Sequence, residues 1–195
     1  MLGVIWRIGG VILFALVIQA CSLLQKKIDP DHHFETESGF SFQFPMSGEW
    51  YSGAETKGQY MVGKKPLSDG SSILAVVRHG PVWTPGGKSM TSAEMFEFFK
   101  KDIEKDSQGE RVSEVKTHFL RKKVGEAECL SFNQLGQDNG SKDIMRLSND
   151  GMICLHPKRR YQFIWMAISQ RSPIGKPAED LTDDENRFFS SLRFL

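Results

Sequence analysis

The chain has 195 residues, a quarter of them charged, with 25 basic against 24 acidic side chains and 11% aromatic residues. That balance excludes the strongly basic surface on which nucleic-acid binding depends, and the composition is that of a globular domain rather than a disordered stalk. The length suffices for one domain with a sizeable core and is short for two.

An apolar run from Ile8 to Ile18 follows a short start carrying Arg7 and leads into Val17-Ile18-Gln19-Ala20-Cys21. This is the tripartite layout of an export signal, with the small Ala20 at the cut. A cysteine directly after that cut resembles the lipobox of bacterial lipoproteins. The resemblance implies that the Cys21 thiol receives a diacylglyceryl group, that residues 1–20 are removed, and that the new amine is acylated. It further implies a lipid-anchored, periplasm-facing protein of the cell envelope. Ser22 after the cysteine favours the outer membrane under the sorting rule of enteric bacteria. The alternative is an uncleaved spanning anchor, for which Ile8 to Leu24 is just long enough. Arg7 is the only charge removed by cleavage, so the mature chain carries equal numbers of basic and acidic side chains. Once Cys21 is acylated, Cys129 and Cys154 are the remaining thiols, an even number in a compartment that permits disulfides.

Residues 21–36 show no sustained period and read as a tether. Asp31-His32-His33 has metal-ligating side chains, but adjacent histidines on a flexible segment do not build a three- or four-ligand cage, and no metal is predicted there. Order begins at Gly39, where Phe40, Phe42 and Phe44 alternate with Ser41 and Gln43 and Pro45 stops the strand. Gln59 to Lys64 and Ser72 to His79 are further strands, and the continuous Ile73-Leu74-Ala75-Val76-Val77 run predicts a buried central one. A Pro- and Gly-rich loop, Gly80 to Lys88, then gives way to helical spacing. Thr91 with Glu94 forms a capping box ahead of Met95, Phe96, Phe99 and Ile103, so the spacing predicts a helix over about 91–107. Its phenylalanine face reads as core rather than as a ligand box.

Strands return at Val112 to Lys123, Ala127 to Leu135, Ile144 to Leu155 and Tyr161 to Ser169, a spacing that predicts an antiparallel meander. Thr182 with Glu185 predicts the start of a second helix over about 182–191, with Phe188, Phe189 and Leu192 as its inner stripe and a short edge strand after it. The order of elements defines an α+β domain over 37–195, an antiparallel sheet covered by two helices. The opening Gly39-Phe40-Ser41-Phe42-Gln43-Phe44-Pro45, with Trp50 after it, and the closing Phe188-Phe189-Ser190-Ser191-Leu192-Arg193-Phe194 resemble the two ends of PsbP-like domains, including DcrB-type lipoproteins. That resemblance implies the fold and an accessory or assembly role, and it brings no ligand site.

Gly87-Lys88-Ser89 lacks the first glycine of a phosphate-binding loop, whose place is taken by Val82, and neither a Gly-x-Ser-x-Gly elbow nor a His-Glu-x-x-His pair occurs. Cys154, His156 and His118 invite a metal or thiol site, against which stand the second thiol and the turn at Pro157. No cofactor is predicted. Pairing Cys129 with Cys154 requires a hairpin centred between Ser141 and Lys142, which also sets Leu130 opposite Ile153. A tight Asn139-Gly140 turn is the competing register and sets Asp150 opposite Cys129. Lys158, Arg159 and Arg160, beside Tyr161 and Trp165, form the densest basic spot and a candidate contact with anionic lipid or an acidic partner, the bland reading being a solvated hairpin tip. The expectation is a lipid-anchored, non-catalytic envelope module with an envelope protein partner. The alternative is an envelope hydrolase whose residues are scattered in sequence.

Overall fold

The computed structural model describes residues 26–29, 31–45, 48–53, 58–64, 68–82, 90–107, 111–140, 143–159 and 161–195. The signal segment with Cys21, the Gly87-Lys88-Ser89 stretch and Arg160 lie outside the described residues. In chain order the elements are β1 (Lys26–Lys27), β2 (His33–Thr36), β3 (Phe40–Gln43), β4 (Tyr51–Ser52), β5 (Gln59–Gly63), β6 (Ser72–Pro81), helix α1 (Ser92–Asp106), β7 (Val112–Val124), β8 (Ala127–Asp138), β9 (Met145–Leu155), β10 (Gln162–Pro173), helix α2 (Thr182–Ser190) and β11 (Arg193–Phe194).

Eight strands pair antiparallel in the order β1-β4-β5-β6-β10-β9-β8-β7, and β11-β3-β2 make a second, small sheet. The apolar run in β6 lies at the centre, hydrogen-bonded to β5 and β10, because a strand with side chains for two cores needs cover on both faces. On one face Ile73, Ala75 and Val77 meet Ile164, Met166 and Ile168, under Phe40, Phe42 and Phe44 of the small sheet and Phe188 and Leu192 from the α2 region. On the other, Val76, Ala167, Leu130, Phe132 and Ile153 pack against Met95, Phe96, Phe99 and Ile103 of α1. The two helices therefore cover the main sheet from opposite sides. The domain is α+β, as expected, and the predicted four-stranded meander is β7-β8-β9-β10.

The local chemistry explains the element boundaries. Thr91 Oγ1 accepts from the Glu94 amide while Glu94 accepts from the Thr91 amide, so the predicted capping box starts α1. The corresponding box at Thr182 and Glu185 does not form. The cap position is Leu181, which has no side-chain cap, and Asp180 Oδ1 takes the Thr182 amide instead at 3.0 Å. A second correction concerns the tether: β1 pairs with β4 and β2 with β3, so residues 26–27 and 33–36 belong to the sheets. Phe34, alternating with His33 and Glu35, stacks on Phe42 at 5.1 Å between ring centroids, and that aromatic contact holds β2 against the core. In β9, Gly151 lies beneath Phe132. A Cβ there would stand 2.1 Å from the ring's Cζ, so only glycine admits the ring so close to the strand.

Candidate functional site

Cys129 and Cys154 face each other across β8 and β9 with Cα atoms 4.1 Å apart and sulfurs at bonding distance, 2.05 Å. Leu130 stands opposite Ile153, and the register holds unbroken to Asp138 opposite Met145. The competing tight turn is not adopted. Asn139 donates its backbone N–H to Arg111 O at 2.7 Å and Gly140 donates its own to Asp138 Oδ1 at 2.8 Å, so these two residues fasten the loop to the start of β7 rather than reverse the chain.

The basic turn after β9 is organised by His156, which is buried. Its Nδ1 accepts from the amides of Lys158 and Arg159, both at 3.1 Å, and its Nε2 lies 3.1 Å from Gly39 O. Both ring nitrogens are thus engaged in the neutral tautomer that carries its proton on Nε2. Burial first, and then the nearby Arg159 and Lys158 charges, push its pKa below the ordinary histidine value, against the Gly39 bond that raises it. Lys158 and Arg159 are exposed, and Arg159 also donates to Glu37 O at 3.1 Å. The grouping of Cys154, His156 and His118, disfavoured on the sequence, is not assembled. Cys154 is bonded to Cys129, and His118 lies on exposed β7 opposite Asn133, level with Asp150. His33 is paired in β2, and His32 packs edge-on to Phe34. Among the described residues, no group of three or more His, Cys, Asp or Glu side chains is placed to hold a metal ion.

Sequence reasoning missed the charged groups inside the fold, because their chemistry depends on burial and on partners most of which are distant in the chain. Asp138, fully buried, accepts from Arg111 Nε and Nη2, each at 2.9 Å, and lies 2.9 Å from Arg171 Nε. Burial pushes its pKa up, but the Arg111 and Gly140 hydrogen bonds and the two arginine charges outweigh that and hold it below the usual carboxylate range. Nearby, Gln134 donates to Ser107 Oγ at the end of α1 and accepts from Asn149 at 2.8 Å, which ties helix to sheet.

On the opposite face Glu185 is pushed up to about 7, by burial first and then by the charges of Asp150, Asp180 and Asp184. Its raised pKa means that the folded state binds the extra proton between the unfolded value near 4.5 and about 7, so its ionisation destabilises the fold progressively as pH rises through that window. Glu185→Gln is therefore expected to be more stable than wild type above pH 7, by about 2 kcal/mol after allowance for solvent screening of a half-buried group. The gain should vanish below about pH 4.5, and urea unfolding at several pH values checks it. A pH-independent difference would show that charge repulsion is not the cause.

The remaining feature is a cleft of about 270 Å³ at the β1 margin, between the main sheet and the small one. Phe34, Phe44, Tyr60, Met61, Val62 and Ile28 form its apolar lining, and Lys26, Lys27, Asp29 and His32 stand around it. Lys27 is paired with Glu49 at 2.8 Å. A second, polar hollow of about 440 Å³ lies between the end of α1 and the start of β7, beside Ser107, Ser113 and Thr117. Glu185 lines neither. Among the described residues, no helix is long and apolar enough to cross a membrane. Set beside known proteins, the chain matches no family model and no curated protein.

Proposed function

We propose that this chain is a lipid-anchored accessory or binding module of the cell envelope, non-catalytic, working in envelope assembly or maintenance through a protein partner, on a fold of the PsbP-like type. The lipobox-like Val17-Ile18-Gln19-Ala20-Cys21 supports the anchor, and the outer membrane is the favoured site. One spatial observation carries the reading. β1 runs from the level of Ala75 toward that of Leu74, away from the sheet end that bears the turn of Lys158 and Arg159, so the described chain begins facing that end. A chain that enters β1 from the side of the basic turn suits a domain held by an upstream anchor against an anionic surface. The raised Glu185 carboxyl is what an envelope hydrolase would use as a general acid. It faces other carboxylates and lines neither cavity, so the binding reading is preferred.

The anchor is tested by growing cells with a fatty-acid analogue and comparing wild type with Cys21→Ser. Wild type is expected to carry the label and the variant to lose it, since several acyl chains at about 0.8 kcal/mol per buried CH₂ hold a protein where one is marginal. Equal labelling of both proteins sinks the anchor. For the basic turn, Lys158→Ser/Arg159→Ser/Arg160→Ser should weaken binding to anionic vesicles at low salt by about 1 kcal/mol per charge. The difference should fade as screening shortens to about 8 Å at physiological ionic strength. Unchanged vesicle and partner binding at low salt would remove the turn from the reading.

A further inference from the structure

We propose that the cleft at the β1 margin is a binding site for one hydrocarbon chain, an acyl chain supplied either by the lipid on Cys21 or by a neighbouring bilayer lipid. The lining decides the class of ligand. Phe34 and Phe44 meet edge to face at 5.2 Å, Tyr60 lies 6.1 Å from Phe34, and Val62 follows on the same face of β5 as Tyr60, so carbon makes up the larger part of the wall. The aromatic and aliphatic part of this wall gains from burying methylene groups. The volume, about 270 Å³, lies at the lower limit of small-molecule pockets, roughly 300 Å³, and suits part of one chain rather than a whole two-chain lipid.

The mouth decides against a charged head as the recognised feature. Lys26 and Lys27 are offset by Asp29 and by Glu49, which holds Lys27, so the rim is balanced and selects neither sign. Position supplies the ligand's source. Lys26 stands at the mouth five residues after Cys21, a distance that an extended chain covers in about 17 Å. A tethered acyl group within that reach has a high effective concentration at the site, and bilayer lipids surround the same spot if the anchor is in place. Moving one chain from bilayer to cleft exchanges one apolar environment for another, so the anchor's remaining chains decide whether the domain stays on the membrane. To this extent the inference rests on the anchor reading, while the cleft's preference for hydrocarbon does not.

The test uses the full chain in bacterial cells fed a fatty acid with a diazirine near its terminal carbon, irradiated, purified and mapped by mass spectrometry. Cross-links are expected on the peptides that contain Phe34, Tyr60 or Val62, and Ser52→Trp, which fills the cleft from β4, should reduce them several-fold while circular dichroism stays unchanged. Persistence of these cross-links in Cys21→Ser identifies a bilayer lipid as the source, and their loss from Cys21→Ser that still sediments with membranes identifies the protein's own anchor. Either result supports the site. Wild type labelled at Cys21 but with cross-links confined to residues outside the cleft overturns the site and leaves the anchor standing. Cleft cross-links without any label at Cys21 overturn the anchor and leave the site. The wild-type map decides the matter even if Ser52→Trp does not fold.

Discussion

Replacing Asp138 with Asn is expected to destabilise the domain by about 3–5 kcal/mol at neutral pH, the range for removing one member of a buried charge cluster. The cost comes less from lost attraction than from what remains. Asp138 is wholly buried and Arg171 nearly so, and the variant leaves two guanidinium groups, Arg111 and Arg171, without a counter-charge. It also weakens the bond that Gly140 makes to the carboxylate, and with it the fastening of the β8–β9 loop to β7. The sign of the pH dependence follows from the depressed carboxyl. Its contribution is fully present above the unfolded value of 3.8 and is lost as pH falls through the lower folded value, so the gap between wild type and variant should narrow in strong acid. Urea unfolding measures the gap. Adding Arg171→Met to Asp138→Asn should recover part of the loss, because a buried apolar side chain of similar volume carries no uncompensated charge. A loss below about 1 kcal/mol, or no recovery in the double variant, would mean that water already solvates these groups.

How far the sequence reveals this arrangement depends on the range of the interactions. Strands β3, β6 and β7 to β10 and helix α1 were legible because each is governed by its own period or cap, the alternating phenylalanines of β3 and the Thr91–Glu94 box being the clearest cases. The helix α2 starts where it was expected, but its cap was misread because Asp180, two residues before Thr182, takes the Thr182 amide, a choice that the spacing of Thr182 and Glu185 does not reveal. The segment read as a tether contains only isolated apolar residues. Phe34 and Ile28 find their partners in β3, β4 and β5, and that distant packing makes strands of a polar stretch. An alternating His33-Phe34-Glu35-Thr36 was the available signal for β2. The candidate cleft is invisible for the same reason, since its walls come from four separate segments. For Asp138 and Glu185 nothing local distinguishes them from solvated carboxylates. The fold brings two arginines to the one, and to the other it adds burial and the distant Asp150 beside the neighbouring Asp180 and Asp184.

The paired cysteines allow a sharper measurement, since the structure adopts the one of the two competing registers that sets Cys129 opposite Cys154. Cys129→Ala/Cys154→Ala is expected to lower stability by about 3.5 kcal/mol, the chain-entropy value for a closed loop of this size, which spans a sequence separation of 25. For a domain of this length that corresponds to a fall of about 7–14 °C in the unfolding midpoint. Both positions are fully buried against Met152, Ile164 and Ala127, so part of any loss in the double alanine variant is packing rather than cross-link. Comparing oxidised with reduced wild type, unfolded in the same buffer, isolates the cross-link, because the side chains are then the same but for two hydrogens. The cross-link restrains the unfolded ensemble most, so the reduced protein should also show the larger dependence of unfolding free energy on urea concentration. Thiol titration of the denatured, unreduced mature protein supplies the direct answer, with no free thiol expected from Cys129 or Cys154. Two titrating thiols, or identical urea curves before and after reduction, would show that the facing pair is held by strand register alone and that β8 and β9 need no covalent tie.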